Sequence, residues 1–188
     1  MAGQREAVEA VIGRMLRDIE VELADEFDRN FERQGFFTRA WARRRSPLRP
    51  GGHILVDTGG LRRSIRTRIG SRGVTFYSEH PAAAIHNAGG RIRVTERMRR
   101  YFWARYYETR GSFGRRKDGS YRRDRRNARL SDAASFWRAM ALMKPGAEIV
   151  IPQRQFLGDA PEVREAVKEI IAENMRTWLG NIDNIVKQ

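Results

Sequence analysis

The first 34 residues carry the longest periodic pattern in the chain, and it requires an extended amphipathic helix. Apolar side chains recur at spacings of three and four between charged residues over positions 4–34, and Gly35 marks the end. A straight helix of this length is about 45 Å long, whereas a compact chain of this size is only about 40 Å across. We therefore predict a helix that either bends or reaches beyond its own domain towards a neighbour. Its apolar positions are Val8, Val11, Ile12, Met15, Leu16, Ile19, Leu23, Phe27 and Phe31.

The composition limits the classes of protein that this chain can represent. With 188 residues, of which 40% are hydrophobic, it can bury one core, so we expect a single domain over 1–188. There is no cysteine, and the three histidines show no metal-ligand spacing, so no metal site, cysteine nucleophile or cofactor is expected. The N-terminus has no apolar run typical of a signal peptide or membrane span, which indicates a protein made in a reducing cytoplasm.

The net charge of +14 is concentrated in one segment. Residues 91–129 contain 15 Lys and Arg against 4 Asp and Glu, which is +11 of the total. We predict a helix over 95–110, capped by Thr95 and packed by its aromatic residues, then an exposed loop over 111–130 that only a partner orders. Contact with about six phosphates predicts a log-log salt slope near −5. The cations expected to meet packaged DNA or an acidic neighbour are Arg115, Arg116, Lys117, Arg122, Arg123, Arg125 and Arg126.

The other segments predict short elements. Residues 36–54 read as a loop with a short helical turn around Trp41, 65–78 as a hairpin with one buried face, and 81–89 as a short helix. A second short helix follows a cap at Ser131 or Asp132, and a strand covers 148–151.

The last element is an amphipathic helix from Pro161 to about Leu179, capped by Asp159 and ended by Gly180. Together these elements predict an α+β fold. It has a long N-terminal amphipathic helix, a small mainly antiparallel sheet with short helices, a C-terminal amphipathic helix and a basic inserted arm over 91–130.

The tripeptide Asp57-Thr58-Gly59 matches the one that carries the catalytic carboxylate of aspartic proteases. Such a site lies between apolar strands and needs two copies whose carboxylates share a proton, whereas here a charged turn with two arginines follows. We interpret Asp57 or Thr58 as the cap of a short helix whose Leu61 and Ile65 face the core. Residues 111–120, GSFGRRKDGS, lack the Gly-Lys-Ser/Thr ending of a phosphate-binding loop, so the sequence indicates no enzyme.

Three motifs in order resemble the Mu-like phage virion morphogenesis family, also described as tail-completion proteins, with kinship to head-tail neck proteins. They are LVDTGGLRRSI, YSEHPAAAIHNAGG and IPQRQFLG, and the resemblance spans most of the chain except residues 91–145. The matching residues are Leu55, Thr58, Gly59, Leu61, Arg62, Ser64, Ala83, His86, Gly89, Pro152, Arg154, Phe156, Leu157 and Gly158.

The resemblance implies a non-enzymatic virion protein at the head-tail junction, made in the cytoplasm of the host bacterium. It implies a homo-oligomeric ring, most simply a hexamer, that contacts neck, connector or tail proteins, with packaged double-stranded DNA as a further candidate partner and no membrane. The motif residues are then architectural. Thr58 and Gly59 start a helix, Pro152 ends a strand, and Arg154 can make a bidentate contact to a carboxylate within or between subunits.

An alternative from a different class stays open, namely a stand-alone, sequence-independent nucleic-acid-binding protein that uses the basic arm. It predicts a stable monomer or dimer that binds DNA in solution. The neck component instead predicts a ring, or a monomer that assembles only on its virion partner.

Overall fold

The computed structural model describes the backbone of residues 2–186 and the side chains of residues 5–180. Within that range the chain forms six helices and three antiparallel strand pairs, which confirms the α+β class, although the strands form three separate two-stranded sheets. None of the described helices is long and apolar enough to cross a membrane. The helices are α1 (Ala2–Arg33), α2 (Gly60–Arg63), α3 (Ala83–Ala88), α4 (Glu96–Gly111), α5 (Arg125–Ala141) and α6 (Pro161–Val186). The strands are β1 (Gly35–Phe36), β2 (Arg39–Ala40), β3 (Ile65–Ile69), β4 (Val74–Ser78), β5 (Gly90–Arg93) and β6 (Glu148–Ile151).

The chain separates into two compact units, each of which is described on its own. Unit 1 comprises residues 1–41, 53–88 and 154–188, and unit 2 comprises residues 42–52 and 89–153. The basic segment that we predict as an insertion over 91–130 lies inside unit 2. The assignment of 1–188 to a single virion-morphogenesis domain stays a prediction.

The core of unit 1 is aromatic and is built on the second half of α1. Phe27 and Phe31 are almost fully buried, and the Phe31 ring lies 5.5 Å from the Trp41 ring and 5.4 Å from the Phe156 ring. The predicted N-terminal helix is therefore confirmed, and its apolar stripe packs on the core. The stripe continues towards the N-terminus, where Val8 and Ile12 stay about two-fifths exposed.

The segment after α1 differs from the prediction of a loop with a helical turn around Trp41. Strands β1 and β2 form a tight hairpin, after which the Trp41 amide donates to the Gln34 carbonyl at 2.9 Å. The Trp41 indole Nε1 donates to the Gln155 carbonyl at 2.6 Å. Two hydrogen bonds and burial of the ring thus fix Trp41 in place. This position does not require Trp41 to lie in a helix.

The predicted hairpin over 65–78 is confirmed. Strands β3 and β4 pair antiparallel from Ile65 opposite Ser78 to Ile69 opposite Val74, and the turn is closed by the Gly70 amide, which donates to the Gly73 carbonyl at 2.8 Å. The alternation of apolar and charged residues in β3 leaves one face towards α1.

The C-terminal helix α6 runs antiparallel to α1, because Asn174 donates to the Asp18 carboxylate at 2.8 Å while Val163 packs on the core near Phe27. The predicted end at Gly180 is wrong, since the helix continues to Val186. The Asp159 carboxylate forms an ion pair with Arg164 in the first turn, and its role as the helix cap stays a prediction.

Unit 2 contains a two-stranded sheet and a helical hairpin. The predicted strand over 148–151 is confirmed as β6 and pairs with β5, from Gly90 opposite Ile151 to Arg93 opposite Glu148. Helix α4 is also confirmed, with the Thr95 hydroxyl accepting from the Met98 amide at 3.2 Å. The prediction of a helix start at Ser131 or Asp132 is wrong, since both residues lie inside α5.

Candidate functional site

The excess positive charge of the chain lies entirely in unit 2. This unit contains 21 Lys and Arg against 6 Asp and Glu, a net charge of +15, while unit 1 contains 16 against 17, a net charge of −1. Charge of one sign at this density repels itself and favours a polyanionic or acidic partner. Unit 2 therefore carries the surface charge that such a partner would contact.

Helices α4 and α5 form an antiparallel hairpin that presents much of this charge. The Phe102 ring is buried and stacks on the Trp137 ring at 6.0 Å, and the Arg99 Nε donates to the Ala141 carbonyl at 3.1 Å. These contacts place the start of α4 beside the end of α5. The connecting residues 112–124, which we call the tip, lie at the opposite end of the hairpin.

The tip is ordered by its own contacts, so the prediction of a loop over 111–130 that needs a partner is wrong. Asp124 is the N-cap of α5 and accepts from the Asn127 amide at 2.8 Å. The Asn127 side chain is buried; it accepts from the Gly114 amide at 2.9 Å and donates to the Gly114 and Arg122 carbonyls at 2.9 and 2.7 Å. One amide thus ties both ends of the tip together.

Two of the seven predicted contact cations have intramolecular roles. The Arg115 guanidinium lies over the Tyr121 ring at 4.8 Å and donates to the Tyr121 hydroxyl at 3.3 Å. The Arg122 Nε donates to the Arg115 carbonyl at 3.0 Å. These interactions fix the backbone of the tip and reduce the rotational freedom of both side chains.

The other five predicted cations point to solvent on or beside the tip. All five are exposed, and among the side chains that the structure describes none of them pairs with a carboxylate. A preorganised surface of this kind can neutralise phosphates without losing internal ion pairs. The five, called the tip cations below, are Arg116, Lys117, Arg123, Arg125 and Arg126.

The aromatic side chains of α4 differ in how far they are buried. Phe102 packs as predicted, and Trp103 and Tyr106 are half-buried. Tyr101 and Tyr107, however, remain 55% and 65% exposed. The prediction that all five aromatic residues mainly pack the helix therefore fails for these two tyrosines.

The first family motif lies around α2. The predicted caps at Asp57 and Thr58 are wrong, because the N-cap is Gly59, whose φ of 77° suits glycine, and no side chain caps this helix. Thr58 Oγ1 instead accepts from the Gly60 amide at 3.3 Å. Leu61 is buried in the core, as predicted.

Arg62 and Ser64 tie this motif to its neighbours in unit 1. The Arg62 guanidinium forms a bidentate ion pair with Asp28 on α1, with Nε 2.5 Å from Oδ1. It also donates to the Glu32 carboxylate at 2.7 Å. Hydrogen bonding from Arg62 lowers the pKa of the Asp28 carboxyl below its ordinary value. The Ser64 hydroxyl donates to the Leu61 carbonyl and lies 2.7 Å from the Ser78 hydroxyl.

The second and third motifs meet within unit 1 through Asn87, a residue that the sequence interpretation did not select. Its Oδ1 accepts from the Phe156 and Leu157 amides at 2.9 and 3.0 Å, and its Nδ2 donates to the Leu157 carbonyl at 3.1 Å. Beside it the Arg154 amide donates to the His86 carbonyl at 2.7 Å. Phe156 and Leu157 are buried by this arrangement, and a polar residue beside His86 was the only available sequence signal.

The remaining motif residues have backbone roles. Gly89 has a φ of 71°, and a Cβ there would lie 2.8 Å from the Gln153 amide nitrogen, so only glycine fits. Pro152 directly follows β6 and so marks its end, as predicted. The Arg154 side chain is buried, and its carboxylate contact stays a prediction.

Replacing Asn87 with alanine is expected to lower the free energy of unfolding of unit 1 by about 2–3 kcal/mol, because two buried amides lose their acceptor. Urea unfolding measures the effect. The matched control is Asn174→Ala, which removes a surface hydrogen bond to Asp18 and should cost less than about 0.5 kcal/mol. Equal losses in the two variants would contradict the bridging role of Asn87.

The buried position of His86 predicts that the folded protein loses stability in mild acid. Burial, the Arg154 charge and His80 lower the pKa of His86, and in the described part of the chain its buried Nδ1 has no hydrogen-bond partner. The unfolded chain therefore binds a proton at higher pH than the folded chain. This contribution to stability is complete above the unfolded pKa of about 6.5 and is lost as the pH falls below it.

The melting temperature of the wild-type protein should therefore fall between about pH 7.5 and about pH 5.5, before carboxylates protonate. In His86→Asn the fall should be smaller, while the two proteins keep a constant difference above about pH 7.5. Parallel pH profiles of the two proteins would exclude His86 as the cause.

Comparison with known proteins gave one family. The family model described as the phage virion morphogenesis family matches residues 4–176. No curated protein and no solved structure matched the chain. Because the match spans almost the whole chain, including the motifs around α2, Asn87 and Phe156 as well as the basic hairpin, this chain belongs to the phage virion morphogenesis family and has a structural or assembly role in a phage virion.

Proposed function

We propose that this virion protein joins head and tail in a Mu-like phage or prophage, as a neck, tail-completion or tail-terminator component. It assembles as a ring, most simply a hexamer, around the DNA channel at the head-tail junction. Its partners are the neighbouring neck, connector or tail proteins and the packaged double-stranded DNA. Its role is structural rather than enzymatic.

The observation that carries this proposal is the partition of charge between the units. Unit 2 has a net charge of +15, and the five tip cations lack carboxylate partners among the described side chains. Such a surface suits phosphate contacts that are independent of sequence, which a channel that conducts a whole genome requires. We assign the tip to the side of the ring that faces DNA.

The geometry around Asp57 supports a structural role. An aspartic-protease site needs two carboxylates close enough to share a proton. Asp57 is exposed on a bend that leads into the four-residue helix α2, two residues before Gly59, whose backbone is left-handed. An exposed carboxylate at this position does not fit a pair that is shielded from water and shares a proton.

Electron microscopy of particles made without the protein tests the joining role. Full heads beside separate tails are the expected result, and complementation with the wild-type gene should restore joined virions. Normal infectious virions in the absence of the protein would exclude the joining role.

A second candidate is a stand-alone DNA-binding protein, and the self-ordered tip favours it because no partner is needed to form the basic surface. Native mass spectrometry separates the two candidates. A closed ring supports the neck component, whereas a stable monomer or dimer that binds DNA, combined with normal virions in its absence, supports the alternative.

A further inference from the structure

A cluster of three aromatic rings lies on one side of α4 in unit 2. The Trp103 ring lies 5.9 Å from the Tyr107 ring at an interplanar angle of 25°, and the Tyr106 ring meets these two edge-on at 5.6 and 5.2 Å. Trp103 and Tyr106 are half-buried, whereas Tyr107 is 65% exposed. We call these three residues the ring cluster. It holds the Tyr107 ring in a fixed orientation while most of that ring stays open to solvent.

The fixed Tyr107 ring suits a flat aromatic ligand. A side chain that its neighbours already hold loses little conformational entropy when a partner covers it. Exposed aromatic side chains on a basic surface stack on nucleobases, and this contact tolerates any sequence because every base has a π-face. In a duplex the neighbouring base pairs cover these faces. The nucleic acid that fits the ring cluster is therefore a single strand with unpaired bases.

Two arginines flank the exposed ring along the same side of the helix. Arg100 precedes Tyr107 by seven residues, which places it within about 20° around the helix axis, and Arg110 follows by three residues. Both arginines are exposed, and neither pairs with a carboxylate among the described side chains. They lie about 15 Å apart along the axis, the length of about four nucleotides of one strand. They can therefore neutralise phosphates on both sides of a base that stacks on Tyr107.

The carboxylates of α4 do not cancel this charge. Glu96 pairs with Arg99 at 3.1 Å, and Glu108 pairs with Arg105. Glu108 lies about 100° around the helix from the exposed ring of the cluster but within about 20° of Tyr101. A phosphate beside Tyr101 would therefore meet a carboxylate, and we leave this second exposed tyrosine out of the site.

The side of α4 that carries the ring cluster leads into the tip. The Arg110 guanidinium lies 5.4 Å from the centre of the Phe113 ring and 5.7 Å from the centre of the Tyr121 ring, and both rings belong to the tip. These two rings pack on each other at 5.3 Å. A strand bound at the ring cluster can therefore continue onto the basic surface of the tip.

We propose that Tyr107 stacks on an unpaired base of single-stranded DNA while Arg100 and Arg110 contact phosphates of the same strand. Trp103 and Tyr106 are positioning residues that hold the Tyr107 ring. The tip cations contact phosphates alone and do not distinguish a single strand from a duplex, whereas the ring cluster does. The inference goes beyond the joining role, which requires no contact with unpaired bases.

The variant Tyr107→Ala tests the stacking contact. Fluorescence anisotropy compares an unstructured single strand of mixed sequence with the duplex of the same length. The variant should bind the strand about 5-fold to 150-fold more weakly, which is the usual effect of losing one stacked base, and its duplex affinity should change less than about twofold. Tyr107→Phe keeps the ring and should bind both ligands like the wild-type protein.

The matched control is Tyr101→Ala, which removes a ring that is 55% exposed on the side of α4 that carries Glu108. It should change neither affinity by more than about twofold. All variants should keep the circular dichroism spectrum of the wild-type protein. An unchanged strand affinity in Tyr107→Ala, or equal weakening for strand and duplex, overturns the proposal.

A strand with abasic sites in place of its bases gives a second readout, which needs no variant to fold. The wild-type protein should bind this strand about 5-fold to 150-fold more weakly than the normal strand. Equal affinity for the two strands, or no binding of the normal strand, overturns the proposal and assigns the exposed ring to a protein contact.

This site and the joining role can fail separately. If normal virions form without the protein while Tyr107→Ala loses strand affinity, the site stands and the proposed function falls. If particles without the protein have separate heads and tails while Tyr107→Ala binds the strand normally, the joining role stands and the site falls.

Discussion

Replacing the five tip cations with glutamine is expected to weaken duplex DNA binding by about four orders of magnitude at about 0.1 M salt, because each phosphate contact releases a condensed counterion. The slope of log affinity against log salt should change from near −5 to near −1. Fluorescence anisotropy with a random-sequence duplex at several salt concentrations measures both quantities. The substituted residues are Arg116, Lys117, Arg123, Arg125 and Arg126.

The matched control removes the same charge from unit 1. Its five substitutions to glutamine lie on exposed helix positions and should leave the salt slope within about one unit of the wild-type value. If both variants lose the same affinity, DNA binding reflects net charge rather than the tip. If neither loses affinity, the tip faces an acidic protein instead. The control positions are Arg5, Arg14, Arg17, Lys168 and Arg176.

Replacing Phe156 with alanine is expected to lower the free energy of unfolding of unit 1 by about 3–5 kcal/mol, because it removes a fully buried ring and leaves a cavity. Phe156 is 0% exposed, its ring lies 5.4 Å from that of Phe31, and its amide is bound by Asn87. Since a domain of this size is stable by only about 5–15 kcal/mol, the variant should be close to unfolding at 37 °C.

Hydrogen exchange of the α1 amides reports this loss for unit 1 alone. Exchange in the second half of α1 should become about 150-fold to 5,000-fold faster in Phe156→Ala, whereas Val21→Ala, at an exposed position of the same helix, should change it less than about threefold. Unchanged exchange in Phe156→Ala would contradict the central place of Phe156 in the core.

The sequence interpretation succeeded where a period or a local cap dominates. The spacing of apolar residues in α1, the alternation in β3 and β4, and Thr95 before α4 each act over a few neighbouring residues. It failed at the start of α5, where the run of arginines hides the helical period. There Asp124 caps the helix and Asn127 bonds back to residue 114, a contact across 13 positions that no local pattern reveals.

The candidate site was also predicted only in part from the sequence. All seven basic residues could be selected from the sequence, because charge density needs no structure to be counted. The structure separates them into Arg115 and Arg122, which hold the tip, and five cations that pair with no carboxylate among the described side chains. This separation depends on how Tyr121 and the turn fold back. The bridging role of Asn87 was missed because its partners lie 69 and 70 residues away.

The sequence by itself determined the fold class, the two long helices, the basic character of one region and the family, since these follow from composition, periodicity and ordered motifs. Only the tertiary structure decided that the tip orders itself, that the charge excess belongs to one unit, and that Tyr101 and Tyr107 stay exposed on α4. These properties depend on burial and on contacts between distant residues, which local propensity does not encode.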